Sequence, residues 1–161
     1  MEVTIGVISD THYGPGDPVP FLIKKQFEGV DRILHAGDIN FPHVITELSE
    51  TAPVYAVCGN TDPADLDLPV VRDLNINGVK LILTHGYGTP LGLEERLDRK
   101  FDDGDLVVYG HTHVAAFRER EGRWFLNPGS PVRPKPRGRP PTVAVLTIGE
   151  DGGIRNRFIE L

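Results

Sequence analysis

The sequence has a single cysteine, Cys58. One thiol excludes an internal disulfide framework and a cysteine-built zinc site. Cys58 directly precedes Gly59 and reads as a small buried hydrophobe, not a nucleophile. No apolar run approaches the roughly 18 residues of a membrane span. The start, Met1-Glu2 followed by "VTIGVIS", lacks the basic stretch and small-residue cleavage site of a secretory signal. There is no internal repeat, and no linker is long enough to separate domains. The expectation is one reduced, cytoplasmic domain over residues 1–161.

Basic residues are outnumbered by acidic ones. The net charge is −6, from 17 Lys and Arg against 23 Asp and Glu. Four of the cations, Arg133, Lys135, Arg137 and Arg139, sit in the acid-free stretch "PVRPKPRGRPP" at 131–141. The remainder is then 13 basic against 23 acidic residues, or −10. Such a balance argues against general nucleic-acid coating but leaves one local loop for anions.

Apolar residues make up 39% of the chain and follow an α/β rhythm. "VTIGVIS" (3–9), "RILHAG" (32–37) and "PVYAVC" (53–58) read as buried strands. A helix is expected between the first two, opened by Asp17 as N-cap and Pro18, with Ile23, Phe27 and Val30 as its stripe. A shorter helix is expected over 44–50. This alternation implies parallel strands with helices on the sheet faces. "VVRDLNI" and "VKLILTH" flank Asn77-Gly78, a two-residue hairpin signal. Leu93, Leu97 and Phe101 space a further helix, "DLVVYG" (105–110) is another strand, and four short strands follow. The reading is two sheets with flanking helices in one α/β domain.

In open α/β sheets, ligands bind beyond the carboxyl ends of the strands. Five strands here run out into Asp10-Thr11-His12, Asp38, Gly59-Asn60-Thr61-Asp62, His85, and Gly110-His111-Thr112-His113. Taken singly, an Asp at a strand end is a turn residue and His85 in "THGYG" is a loop histidine. Five successive strand ends carrying nitrogen or oxygen donors make a constellation. Such mixed donors without thiolate favour Mn, Fe, Zn, Co or Ni over Mg or Ca. Two such ions about 3.5–4 Å apart can share a hydroxide and clamp a phosphoryl group. In an extended "HTH" both imidazoles would point one way and Thr112 the other. His35, inside the second strand, is expected to hydrogen-bond behind the ligands. His43, at a helix start, is expected in solvent.

"SDTH", "HAGD", "GNTD", "THG" and "GHTH", in this order and followed by "NPGS" at 127–130, resemble the calcineurin-like metallophosphoesterase superfamily. Within it they resemble the small single-domain branch of YfcE-type phosphodiesterases. The resemblance spans Asp10 to Ser130. It implies a four-layer α/β sandwich of two mixed β-sheets flanked by helices, and a cytoplasmic dinuclear-metal phosphodiesterase using a metal-bridging hydroxide as nucleophile. It implies two divalent ions, manganese first, with nickel, iron, cobalt or zinc as alternatives. Asp10, His12, Asp38 and His113 would hold one ion. Asp38, Asn60, His85 and His111 would hold the other, with Asp38 bridging and Asp38, Asn60 and His85 as the catalytic group.

One departure concerns the leaving group. Many members place a proton-donating His after the motif's Asn, where this chain has Thr61. The expected partner is a small phosphodiester, with no membrane and no nucleic-acid surface apart from the 131–141 loop; a homo-oligomer stays open. The alternatives are a binding scaffold like the retromer subunit, or a phosphomonoesterase or nuclease of the same fold.

Overall fold

The computed structural model describes all 161 residues. β1 (Val3–Ile8), β2 (Arg32–His35) and β3 (Val54–Ala56) run parallel. The last two strands, β9 (Thr142–Ile148) and β10 (Ile154–Glu160), return antiparallel to give the order β10-β9-β1-β2-β3. A second five-stranded sheet has the order β4-β5-β6-β8-β7. Its members are β4 (Val71–Ile76), β5 (Val79–Thr84), β6 (Leu106–Val108), β7 (Ala116–Arg120) and β8 (Arg123–Asn127). Both sheets are therefore mixed. β4 and β5 meet at Asn77-Gly78, whose φ values of 51° and 83° are those of the expected tight turn.

Residue parity along the strands explains the layering. Ile5, Val7, Leu81, Leu83, Leu106, Val108, Leu126, Ala144 and Leu146 belong to one cluster between the sheets. Their neighbours Ile8, Ile33, Val143 and Val145 face outward, onto Ile23 of α1 (Phe21–Gln26) and Val44 and Leu48 of α2 (Pro42–Ser49). On the second sheet Ile82, Val107 and Phe125 face outward onto Leu93 and Leu97 of α3 (Leu93–Lys100). Helices, sheet, sheet and helix make the four layers. Gly6 is required on the outer face of β1, because a Cβ there would lie 2.8 Å from the Phe27 ring.

The first helix starts later than its sequence suggests. Asp17 does not cap it; its Oδ2 accepts the Gly14 N–H at 2.8 Å and closes a turn. α1 begins at Phe21, after Pro20 at φ −53° and ψ 134°. Pro18 and Pro20 supply no N–H, and each disfavours helical backbone in the residue before it. Phe27 caps the helix, and buried Val30 lies beyond its end.

Candidate metal centre

The loops leaving β1, β2, β3, β5 and β6 converge at one end of the two sheets. They bring together Asp10, His12, Asp38, Asn60, His85, His111 and His113, all seven candidate ligands. One oxygen or nitrogen from each of Asp10, His12, Asp38 and His113 lies within 4.8 Å of the others. Asn60 Oδ1 is 3.0 Å from both His85 Nε2 and His111 Nδ1. Asp38 Oδ2 stands between these groups, 3.5 Å from His12 Nε2 on one side and 3.5 Å from His85 Nε2 on the other.

Five of the seven donors are aimed by a second contact. His85 Nδ1 donates to the Ala36 carbonyl at 2.7 Å, and His113 Nδ1 to the Arg133 carbonyl at 2.8 Å, so both present Nε2 to the centre. His111 is turned the other way: its Nε2 donates to the Gly88 carbonyl at 2.6 Å, leaving Nδ1 inward. Asp10 Oδ2 accepts from Ser9 Oγ at 2.6 Å and the His111 N–H at 3.0 Å. Asp38 Oδ1 accepts the Thr61 N–H at 2.9 Å. Each carboxylate thus has one oxygen tied to protein and one facing the centre.

His111 and His113 do not sit on an extended segment. Their φ values are 68° and 59°, and Asp10, His12 and Asp38 are also left-handed, at 54°, 44° and 57°. Such backbone costs a non-glycine residue about 1–3 kcal/mol. Thr112 turns inward to the fold, its Oγ1 accepting from Asn127 Nδ2 at 3.0 Å. Loop packing at this end tolerates no side chain at Gly59, where a Cβ would lie 2.2 Å from Asp38 Oδ1. At Gly110 it would lie 2.0 Å from Ser9 Oγ.

The donor set fits divalent cations. Asp10 Oδ1 is fully buried and accepts no aligned hydrogen bond, although His113 Nε2 is only 3.2 Å away. His12 Nε2 and His113 Nε2 face each other at 3.4 Å. A cation would satisfy all three atoms together. The charges are already set: burial opposes ionisation of Asp38, but the His85 contact and the Thr61 N–H prevail and hold its carboxyl well below the usual range. Burial lowers the basicity of His12. His113 goes the other way, raised chiefly by Asp10.

His35 is fully buried behind the ligands. Its Nδ1 accepts the Gly37 N–H at 3.2 Å, so Nε2 carries the proton toward Thr11 Oγ1 at 3.1 Å. Burial pulls its pKa down to about 4. His43 lies outside the centre, hydrogen-bonded to the Asp17 carbonyl at 2.7 Å rather than simply solvated. Cys58 is half-buried, not buried, and donates to the Gly59 carbonyl at 3.3 Å.

Sequence reasoning missed Asp62. Its Oδ1 accepts the N–H groups of Ile39 and Asn40, both at 2.7 Å. Its Oδ2 accepts those of Asp38 at 2.9 Å and Gly59 at 2.7 Å. One carboxylate therefore clamps the Asp38 loop to the Asn60 loop. Ser130, at the end of the "NPGS" segment, braces the opposite side; its Oγ donates to the Asp10 carbonyl at 2.8 Å.

Residues 3–151 match the calcineurin-like phosphoesterase superfamily domain. A probable metallophosphoesterase of Methanothermobacter thermautotrophicus is 39% identical over 148 residues, covering 89% of this chain and 85% of that protein. A phosphodiesterase of Methanocaldococcus jannaschii is 30% identical over 145 residues, covering 78% of this chain and 82% of its own length. Vps29 of Entamoeba histolytica, solved with zinc, superposes with a TM-score of 0.78 at 22% identity, over 98% of this chain and 99% of its own, a likeness of fold alone. No helix is long and apolar enough to cross a membrane. With the family match spanning nearly the whole chain and a divalent-metal donor cluster at its converging loops, the protein belongs to the calcineurin-like phosphoesterase superfamily.

Proposed function

We propose that the chain is a phosphodiesterase that holds two divalent ions, manganese first among them, and hydrolyses a small phosphodiester to a monoester and an alcohol. The observation that carries this reading is the position of Asp38 Oδ2, equidistant from one ring nitrogen of each donor group. Asp10, His12, Asp38 and His113 form one set of ligands, and Asp38, Asn60, His85 and His111 the other. When bound, two divalent ions make water a nucleophile near neutral pH and neutralise charge on the transferring phosphoryl group.

The protein's own hydroxyl and thiol groups near the centre are committed elsewhere. Ser9 Oγ donates to Asp10, Ser130 Oγ to the Asp10 carbonyl, and Cys58 Sγ to the Gly59 carbonyl. That leaves water as the attacking group and a direct displacement without a covalent enzyme intermediate. His85 and His111 each donate one ring N–H to a backbone carbonyl, which fixes the ring orientation and aims the other nitrogen at the centre.

Thr61 is no proton donor for the leaving group. Its Oγ1 donates to Asn40 Oδ1 at 2.8 Å, and a hydroxyl is too weak an acid at neutral pH. A diester with a stable leaving group suits such a site better than an alkyl monoester. The test is hydrolysis of bis(p-nitrophenyl) phosphate against p-nitrophenyl phosphate after chelation and after return of Mn²⁺. Activity that needs the metal and favours the diester supports the reading; activity that survives exhaustive chelation refutes it.

A further inference from the structure

The Pro-rich basic loop is built onto the metal centre. The Lys135 N–H donates to the His113 carbonyl at 3.0 Å, and the Arg133 carbonyl accepts from His113 Nδ1 at 2.8 Å. At the loop's start, the Val132 and Arg133 N–H groups donate to Ser130 Oγ at 3.3 and 2.9 Å, and Ser130 in turn holds the Asp10 carbonyl. Five prolines, 131, 134, 136, 140 and 141, restrict the backbone between these anchors. An ordinary solvated turn needs none of this.

None of the four cations of this loop has a carboxylate within ion-pair distance, and none donates a side-chain hydrogen bond. In a chain of net charge −6 they are uncommitted. A cleft of about 430 Å³ runs between the loop and β10, and His113 forms part of its wall. Lys135 and Arg139 line it with Val114, Pro140 and Phe158; Glu160 is its one acidic residue. The volume lies in the range of small-molecule sites. A second cavity of about 440 Å³ lies beneath residues 90–95, but its Arg118 and Arg120 pair with Glu94 and Glu95.

We infer that this cleft is a substrate subsite, in which Lys135 and Arg139 hold a second, non-reacting phosphate of the phosphodiester and Val114, Pro140 and Phe158 pack against an apolar ring that carries it. The inference rests on the phosphodiesterase reading and narrows it to doubly phosphorylated, nucleotide-like diesters. The scissile phosphate lies at the metal centre, and His113 links the two sites by serving as a ligand on one face and cleft wall on the other.

Two esters differing only in the second phosphate give the test: thymidine 5′-(p-nitrophenyl phosphate) with and without a 3′-phosphate, each hydrolysed by the manganese-loaded protein. The 3′-phosphorylated ester is expected to have a kcat/KM about tenfold higher, from one charge-assisted contact. Lys135→Ser combined with Arg139→Ser is expected to bring that ratio to about one, and NaCl to shrink it in the native protein. Lys24→Ser combined with Lys25→Ser, an equal charge change on α1, leaves the ratio unaltered. Equal kcat/KM for the two esters in the native protein, or a preference that survives the double substitution, overturns the inference. If neither ester is hydrolysed, the phosphodiesterase reading fails, and calorimetric binding then decides the cleft separately. Thymidine 3′,5′-bisphosphate that binds more tightly than thymidine 5′-monophosphate, with the difference lost in the double variant, supports it; equal binding of the two overturns it.

Discussion

Asp62 is the residue on which the geometry of the centre most depends, and its replacement by Asn tests that directly. The change is nearly isosteric, but it exchanges one acceptor oxygen for an NH₂ donor. Whichever way the amide turns, two of the four N–H groups it now binds, those of Asp38, Ile39, Asn40 and Gly59, lose their acceptor and meet a donor. A hydrogen bond to a charged group contributes about 1.5–3 kcal/mol, so the loss is about 3–6 kcal/mol, toward the lower end because Asp62 is half-buried. Asp38 and Asn40, held at φ 57° and 73°, are then free to relax toward ordinary backbone. Asp38 Oδ2 would leave its position between His12 and His85, and metal affinity should fall about 10–100-fold, as for other groups that orient ligands. Urea unfolding of the chelated protein measures the first effect and equilibrium dialysis with Mn²⁺ the second. A loss of stability below about 0.5 kcal/mol, or a full loss with unchanged metal affinity, refutes the clamp.

Three further outcomes are expected. Asp38→Asn should lower activity about a hundredfold or more and disturb both ions, whereas His12→Ala should disturb one; equal, mild losses would refute the bridging position. Burial holds His35 neutral to about pH 4, below its ordinary 6.5, so the unfolded chain takes up a proton that the folded chain refuses. Folding therefore weakens as pH falls below 6.5. Relative to His35→Gln, the native chain should lose about 2 kcal/mol between pH 7 and pH 5, read by urea unfolding of chelated protein; parallel profiles would remove His35 as the cause. Across diesters of rising leaving-group pKa, the rate should fall steeply, and a flat profile would mean that another group supplies the proton which Thr61 does not.

The apolar runs made the strands legible in advance, the family resemblance implied their four layers, and residue parity explains the layering in the structure. Leu81 and Leu83 against Ile82, or Ala144 and Leu146 against Val145, sort themselves onto two faces without reference to anything distant. The donors at the strand ends were legible for the same reason, since where a strand stops is a local property. What stayed hidden depends on partners far along the chain. Asp62 looks like a turn residue until the N–H groups of residues 38–40, some 22–24 positions away, turn toward it. The late start of α1 was signalled by Pro18 and Pro20, but the N-cap chemistry of Asp17 was the louder local cue.

The "HTH" segment shows why spacing alone misleads at such a site. Period-two reasoning expects an extended strand with both imidazoles on one side. The chain instead puts His111 and His113 in left-handed backbone, so the two rings enter from different directions and present different nitrogens, Nδ1 and Nε2. Five of the seven candidate ligands share that strained conformation, against nine non-glycine residues with positive φ in the whole chain. Strain concentrated in this way must be offset by contacts that exist only when the loops are closed: the Asp62 clamp, the Ser130 hydroxyl, and the cations themselves. Metal binding and folding are therefore linked, because ions that prefer the closed loops stabilise the native chain by an amount that grows with their concentration. Donors held in this way are in place before substrate arrives, which is what catalysis at such a centre requires.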